Sequence, residues 1–179
     1  MAWIFSLSAE CGVDESNARK FAQYFEGMSW VLSNGQECVC QSNIFQDIEE
    51  NWWCRVSPSN FSEVGIVSPE SAYLMTELGI LFYQSLRFAP LFRYALVGIE
   101  VDEFRTYSEL MEDLSNLSIP GLVLSTIFEK QIRELSAFRS FVPGYVWQPY
   151  AGEIYNPLIV SPQLKNQLNE LIALTYSPA

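Results

Sequence analysis

Histidine is absent from this sequence of 179 residues. Without it, the chain lacks the side chain that most often transfers protons near neutral pH, together with all Ser-His and Cys-His catalytic pairs and histidine-ligated metal sites. None of the three lysines stands in a Ser-x-x-Lys motif, and no glycine-rich phosphate-binding motif occurs. An enzyme built from this sequence would therefore depend on carboxylates, tyrosine, cysteine or arginine.

Positive charge is scarce, because ten Lys and Arg face 21 Asp and Glu, which gives a net charge of −11. Cations that displace counterions from phosphates supply most of the affinity for nucleic acids, and anionic membrane surfaces attract the same cations. We therefore expect neither a nucleic-acid nor a membrane partner. An acidic surface favours a basic protein partner, although the same charge also keeps an aromatic-rich domain in solution.

No hydrophobic run approaches the roughly 20 residues of a membrane span, and the apolar first residues lack the basic segment of a secretory signal. We therefore expect a cytoplasmic protein with reduced, mostly buried thiols, a disulfide being the less favoured alternative. Cys38-Val39-Cys40 lacks the spacing of structural zinc sites, so we expect no metal and no cofactor. The four cysteines are Cys11, Cys38, Cys40 and Cys54.

Linkers, repeats and low-complexity segments are also absent, which predicts a single globular domain over residues 1–179. Hydrophobic residues make up 49% of the chain and charged residues only 17%, a balance that favours a well-packed core over disorder. Helical and strand-like patterns alternate along the chain. We therefore predict a compact α+β (mixed α/β) fold with a mixed sheet.

The clearest local signal is Asn34-Gly35 between two strand-like runs, which predicts a β-hairpin at about residues 30–40 with a type I′ turn. Residues 44–51 are ambiguous, and a short helix is one interpretation. The proline- and glycine-containing stretch 142–157 is predicted to be largely loop. Further strands are predicted at the N-terminus and at residues 52–56, 93–101, 122–124 and 158–160.

The longest helix is predicted at about residues 69–88, where Ser68-Pro69-Glu70 has the residue types of a helix start. Apolar residues cover most of its circumference, so we expect it to be the buried centre of the fold. Three to four further helices are predicted. Their start signals are Asp14, the capping boxes Thr106–Glu109 and Thr126–Glu129, and Ser161-Pro162.

The first candidate site is the carboxylate group Glu100, Asp102 and Glu103, at the end of the predicted strand 93–101. Strand ends are common positions for active sites, and carboxylate oxygens suit hard cations such as Mg²⁺. The sequence gives more weight to a simpler interpretation, in which Asp102 and Glu103 are solvated residues that lead into the next helix.

The second candidate site is a loop that combines aromatic rings with a carboxylate: Trp147, Tyr150, Glu153 and Tyr155. Tyrosine and tryptophan dominate binding hot spots, and rings beside a carboxylate can stack on a sugar or accept a cation. The alternative is that these rings anchor an irregular loop to the core.

Two functions remain open. The favoured hypothesis is a non-catalytic binding module (an inhibitor, immunity-type protein or adaptor) that presents carboxylates and aromatic rings to a basic partner. The alternative is a small carboxylate-based enzyme, or a protein that binds a sugar-like small molecule in a pocket near residues 143–155.

Overall fold

The structure is a computed structural model that describes residues 4–59, 66, 68–128, 130, 138–153 and 161–174. Its helices are α1 (Glu15–Phe25), α2 (Pro69–Leu86), α3 (Tyr107–Asp113) and α4 (Pro162–Leu174), and a 3₁₀ turn covers Thr126–Phe128. Its strands are β1 (Phe5–Gly12), β2 (Ser29–Val31), β3 (Glu37–Gln46), β4 (Trp52–Pro58), β5 (Tyr94–Ile99), β6 (Val123–Ser125), β7 (Arg139–Val142) and β8 (Tyr145–Trp147).

The eight strands form one sheet in the order β2-β3-β4-β1-β5-β6-β8-β7. The predicted α+β class is confirmed, but the expected mixed sheet is wrong, because every described strand pair is antiparallel. The reason lies in the connection from β4 through α2 to β5. These two strands run parallel to each other, but β1 lies between them, so each contacts only antiparallel neighbours.

The predicted helix starts are confirmed where the structure describes them. The Asp14 carboxylate accepts a hydrogen bond from Ser16 N at 2.8 Å, and Ser68 and Thr106 each open a helix with a reciprocal capping box. Helix α2 is the buried centre of the fold, as its apolar circumference predicted, and the described residues include three further helices of more than one turn, α1 and α4 on the same face as α2 and α3 on the opposite face. The second predicted capping box and the strand predicted at 158–160 fall partly or wholly outside the described residues.

The hairpin predicted at residues 30–40 is confirmed, but its turn is not type I′. The described hydrogen bonds run from Gly35 N to Leu32 O and from Leu32 N to Gln36 O, and they enclose a three-residue loop. Gly35 alone takes a positive φ, 83°, whereas a type I′ turn needs positive φ at both central residues. The turn is therefore the three-residue hairpin loop that ends on a left-handed glycine.

Two segments differ from their predicted structure. Residues 44–46 continue β3 instead of starting a helix, because Ile44 and Phe45 pair with β4 and pack against the core. Residues 142–147, predicted as loop, form the last residue of β7, the turn and β8, with Gly144 at φ 90° in the turn. In both cases pairing with another strand outweighs the pattern of the segment itself.

The sheet separates two hydrophobic clusters. The larger lies on the face covered by α1, α2 and α4, and the smaller lies on the opposite face, beneath α3. Every residue of β1 is buried, including its polar residues Ser6, Ser8 and Glu10. In the described part of the chain, no helix has both the length and the hydrophobicity that crossing a bilayer requires.

The turn between β3 and β4 is organised by one buried carboxylate, that of Asp47. Its Oδ2 accepts a hydrogen bond from the indole Nε1 of Trp53 at 2.7 Å. Its Oδ1 accepts from the backbone N–H groups of Glu49 and Asn51 at 2.9 and 3.0 Å. Asp47 therefore joins the turn to the fully buried ring of Trp53.

We predict that Asp47→Ala lowers the free energy of unfolding by about 3 kcal/mol, because buried donors lose a charged acceptor. Urea titration followed by tryptophan fluorescence measures the change. Glu37→Ala is the control, since Glu37 is exposed at the start of β3. Equal stability of the two variants would contradict the role given to Asp47.

Candidate functional site

The carboxylates that follow β5 lie on an exposed loop. Glu100 Oε1 accepts a hydrogen bond from Ile4 N at 2.9 Å, and Asp102 Oδ2 accepts one from Arg55 Nη1 at 2.6 Å. Glu100 and Glu103 have φ values of 54° and 45°, in the left-handed region that non-glycine residues rarely adopt. These two residues turn the chain sharply at the end of β5, and two of the three carboxylates already have partners.

The aromatic rings of the predicted loop site face the core. Trp147 is fully buried, with its ring centroid 5.0 Å from that of Phe141 and 5.4 Å from that of Tyr83. Tyr150 is also buried and stands 4.9 Å from Tyr83. These two rings therefore anchor the segment and supply no exposed aromatic surface. Tyr155 lies outside the described residues.

A polar cluster occupies the place where β5 and β6 diverge. The two strands pair only at Tyr94–Leu124 and Ala95–Val123. Beyond this point the hydroxyl of Tyr83 accepts a hydrogen bond from Val97 N at 3.1 Å and donates one to Gly121 O at 2.9 Å. The tyrosine hydroxyl thus bridges backbone groups that the sheet no longer pairs.

Glu153 lies beside this bridge. The Tyr150 hydroxyl donates to Glu153 Oε1 at 3.3 Å, and the backbone N–H of Glu153 donates to Thr76 Oγ1 at 2.8 Å. Burial raises the pKa of the Glu153 carboxyl to about 7, and the Tyr150 hydrogen bond only partly offsets this effect. The carboxyl can therefore gain or lose a proton near neutral pH, the chemical property required of a general acid or base.

A buried ion pair joins β1 to the start of β5. Arg93 Nε donates to both carboxylate oxygens of Glu10, at 3.0 and 2.9 Å, and the guanidinium lies 4.3 Å from the centroid of the Tyr107 ring. The backbone O of Arg93 also accepts from Ser125 N at 2.7 Å. Arg93 therefore holds together β1, β5, α3 and the end of β6 at one end of the sheet.

This same end of the sheet carries a group of exposed apolar side chains, which we name the acidic–apolar rim. Strands β1, β3 and β6 end here, while β4 and β5 begin here. The connections at this end carry five large apolar residues, each between 65% and 89% exposed: Val13, Ile48, Phe88, Leu91 and Ile127.

Carboxylates lie among these apolar residues. Asp14 follows Val13, and Glu49 and Glu50 follow Ile48 in the β3–β4 turn. Glu49 Oε2 accepts a hydrogen bond from Ser108 N at 3.2 Å, so the turn lies next to the start of α3 and its acidic residues. Two kinds of basic side chain lie near these carboxylates: Arg93, which pairs with Glu10 and acts on Glu49, and Lys20 of α1, which, after the hydrogen bond from Ser16 N, helps to lower the pKa of Asp14. The rim is therefore apolar and negatively charged.

The cysteines are free thiols buried in the core. Burial raises the pKa of Cys40 and Cys54 to about 12, so both thiols stay protonated near neutral pH. Among the described residues, no group of three or more cysteine, aspartate or glutamate side chains is arranged to hold a metal ion.

Comparisons with protein-family models, with curated proteins and with solved structures gave no match for this chain.

Sequence reasoning identified Glu153 but missed Tyr83, Thr76 and the acidic–apolar rim. Tyr83 and Thr76 belong to the apolar helix α2, where the pattern predicts core packing rather than polar contacts. The rim residues are spread over four connections, of which the one between α2 and β5 holds both Phe88 and Leu91, and isolated residues of this kind carry no periodicity. Only the antiparallel sheet brings them to one end.

We predict that the raised pKa of Glu153 makes stability fall with pH. The folded-state pKa of about 7 lies above the ordinary value of 4.5, so the folded chain holds this proton more tightly than the unfolded chain. The stabilisation is complete below about pH 4.5 and is lost as the pH rises to about 7. Between pH 5 and 8, the free energy of unfolding should fall by about 1–3 kcal/mol more in the natural protein than in Glu153→Gln.

Chemical denaturation at a series of pH values measures this difference, and Glu10 is present in both proteins, so its own titration cancels. Glu112→Gln serves as the control, because Glu112 is exposed on α3. Parallel pH profiles for the natural protein and Glu153→Gln would contradict the prediction.

Proposed function

We propose that this protein is a non-catalytic binding module that docks a basic protein through the acidic–apolar rim. Five large apolar side chains exposed at one end of the sheet are the observation that carries the proposal. Single exposed apolar residues are ordinary, whereas a group of them edged by polar residues is typical of a protein interaction site.

The rigidity of the rim supports the proposal. The bidentate Arg93–Glu10 pair and the Ser125–Arg93 backbone bond tie together three of the connections that form the rim. Asp47 fixes the fourth connection, the β3–β4 turn. A surface that is ordered before binding loses little conformational entropy when a partner docks.

The charge supports a basic partner in particular. The net charge of −11 attracts a cationic protein over long distances and raises the rate of encounter. At the rim, Asp14, Glu49 and Glu50 can pair with Lys or Arg side chains that flank an apolar contact. The aromatic loop contributes less to this proposal than expected, because Trp147 and Tyr150 face the core.

The alternative, a carboxylate-based enzyme near residues 143–155, is supported by one observation, the near-neutral pKa of Glu153. A pair of carboxylates would give it stronger support, but the described hydrogen bonds of Glu153 go to Tyr150 and Thr76. The rim is therefore the better-supported working surface.

We predict that the double variant Ile48→Ser, Leu91→Ser folds normally but weakens partner binding at least tenfold, because both side chains are exposed and neither contributes to the core. A partner is first captured from an extract of the native cells at low salt. Its affinity for each purified variant is then measured by calorimetry at about 50 and 300 mM salt, where screening should weaken the acidic contribution.

Val31→Ser provides the matched control, because Val31 is equally apolar and exposed but lies on β2, away from the rim. A partner that binds the double variant as tightly as the natural protein, or whose affinity is independent of salt, would contradict the proposed function.

A further inference from the structure

A second group of polar side chains lies on the sheet face beneath α3, towards the opposite end from the rim. The strand register places Asn43, Arg55 and Ser8 side by side on β3, β4 and β1. Ser6 lies next to Ser8 on the same face and pairs with Gly98 of β5. We name these residues, together with Asp102, the polar shelf: Ser6, Ser8, Asn43, Arg55 and Asp102.

The polar shelf contains buried polar atoms without partners. Ser6 and Ser8 are fully buried, and among the described contacts neither hydroxyl has a hydrogen-bond partner. The buried Nε of Arg55 has no partner either. Buried polar groups are normally paired, because leaving one unpaired costs its full desolvation free energy. Three such atoms in one cluster leave hydrogen-bonding capacity that a polar ligand can fill.

The loop that follows β5 covers the shelf. A methyl group at Gly98 would lie 3.0 Å from Val101 Cγ1, and the ring of Phe104 packs 5.6 Å from that of Trp53, so the loop folds back over this face. Asp102 lies in this loop and pairs with Arg55 of β4. The pair therefore spans β1 and its two serines. This ion pair is partly exposed and is the one described contact of the guanidinium. Solvent weakens such pairs, so the contact that ties this loop to β4 can break when a ligand enters.

We propose that the polar shelf binds a neutral saccharide or a similar polyol. Arg55 supplies hydrogen-bond donors and Asp102 supplies acceptors, while the serine hydroxyls and the Asn43 amide supply both. This set matches the hydroxyl groups of a ligand, which donate and accept hydrogen bonds. Phe45 follows Asn43 on the same face of β3 and stacks in parallel on Trp53, so an aromatic ring borders the shelf. A small anion fits less well, because it would face the Asp102 carboxylate.

Ligand-observed NMR with a panel of neutral monosaccharides and linear polyols at millimolar concentration tests this site, and calorimetry then gives the affinity of each binder. At least one neutral compound should bind. Ser8→Ala and Arg55→Met should each weaken it tenfold or more, since each removes a group that meets a ligand hydroxyl. Ser29→Ala and Arg19→Met, on exposed surfaces elsewhere, should leave the affinity unchanged.

Thermal unfolding of Ser8→Ala provides an independent readout. Because the Ser8 hydroxyl has no described partner, the variant should melt no lower than the natural protein in the absence of ligand. A clear drop in melting temperature would show that the hydroxyl is bonded internally and would overturn the proposal. Two other results would overturn it as well: no neutral compound binds, or inorganic phosphate or acetate binds with the same dependence on Ser8 and Arg55.

Discussion

Strand β1 is buried along all eight of its residues, since β4 and β5 flank it and packed elements cover both of its faces. Polar side chains on a strand in this position cost free energy unless partners meet them. Glu10 meets Arg93, and this pair connects the loops at one end of the sheet. Ser6 and Ser8, towards the other end, lie beneath the ion pair between Arg55 and Asp102. The two surfaces to which we assign functions therefore depend on the same central strand.

The two surfaces differ in the physical basis of recognition. At the acidic–apolar rim, apolar side chains lie in water among carboxylates, so binding would be driven by apolar burial and steered by charge. On the polar shelf, unpaired hydroxyls lie under a weak ion pair, so binding would be driven by the hydrogen bonds that a ligand completes. The Glu153 carboxylate borders the shelf, since its Oε1 lies 3.9 Å from where a methyl group at Gly98 would stand. Together with Tyr83, Tyr150 and Thr76, it closes the gap between β5 and β6.

Local chemistry predicted the elements of this fold well. Asp14, Ser68 and Thr106 start helices because their side-chain oxygens accept free N–H groups, an interaction that needs no distant partner. The hairpin at 30–40 follows from Gly35 in the same way, although three loop residues take part instead of two. Segments whose state depends on pairing with another strand were predicted less well. Residues 44–46 became strand because they pair with β4, and residues 145–147 because they pair with β6.

The sequence by itself determined the charge, the absence of histidine chemistry, the α+β class, the buried helix α2 and the candidate residues Glu100, Asp102, Glu103, Trp147, Tyr150 and Glu153. Only the tertiary structure decided their environments. It turned Trp147 and Tyr150 inward, paired Asp102 with Arg55 from another strand, and raised the pKa of Glu153 by burial. It also brought five single loop residues to one end of the sheet. Burial and proximity between residues far apart in sequence are set by strand order and register, which local patterns do not encode.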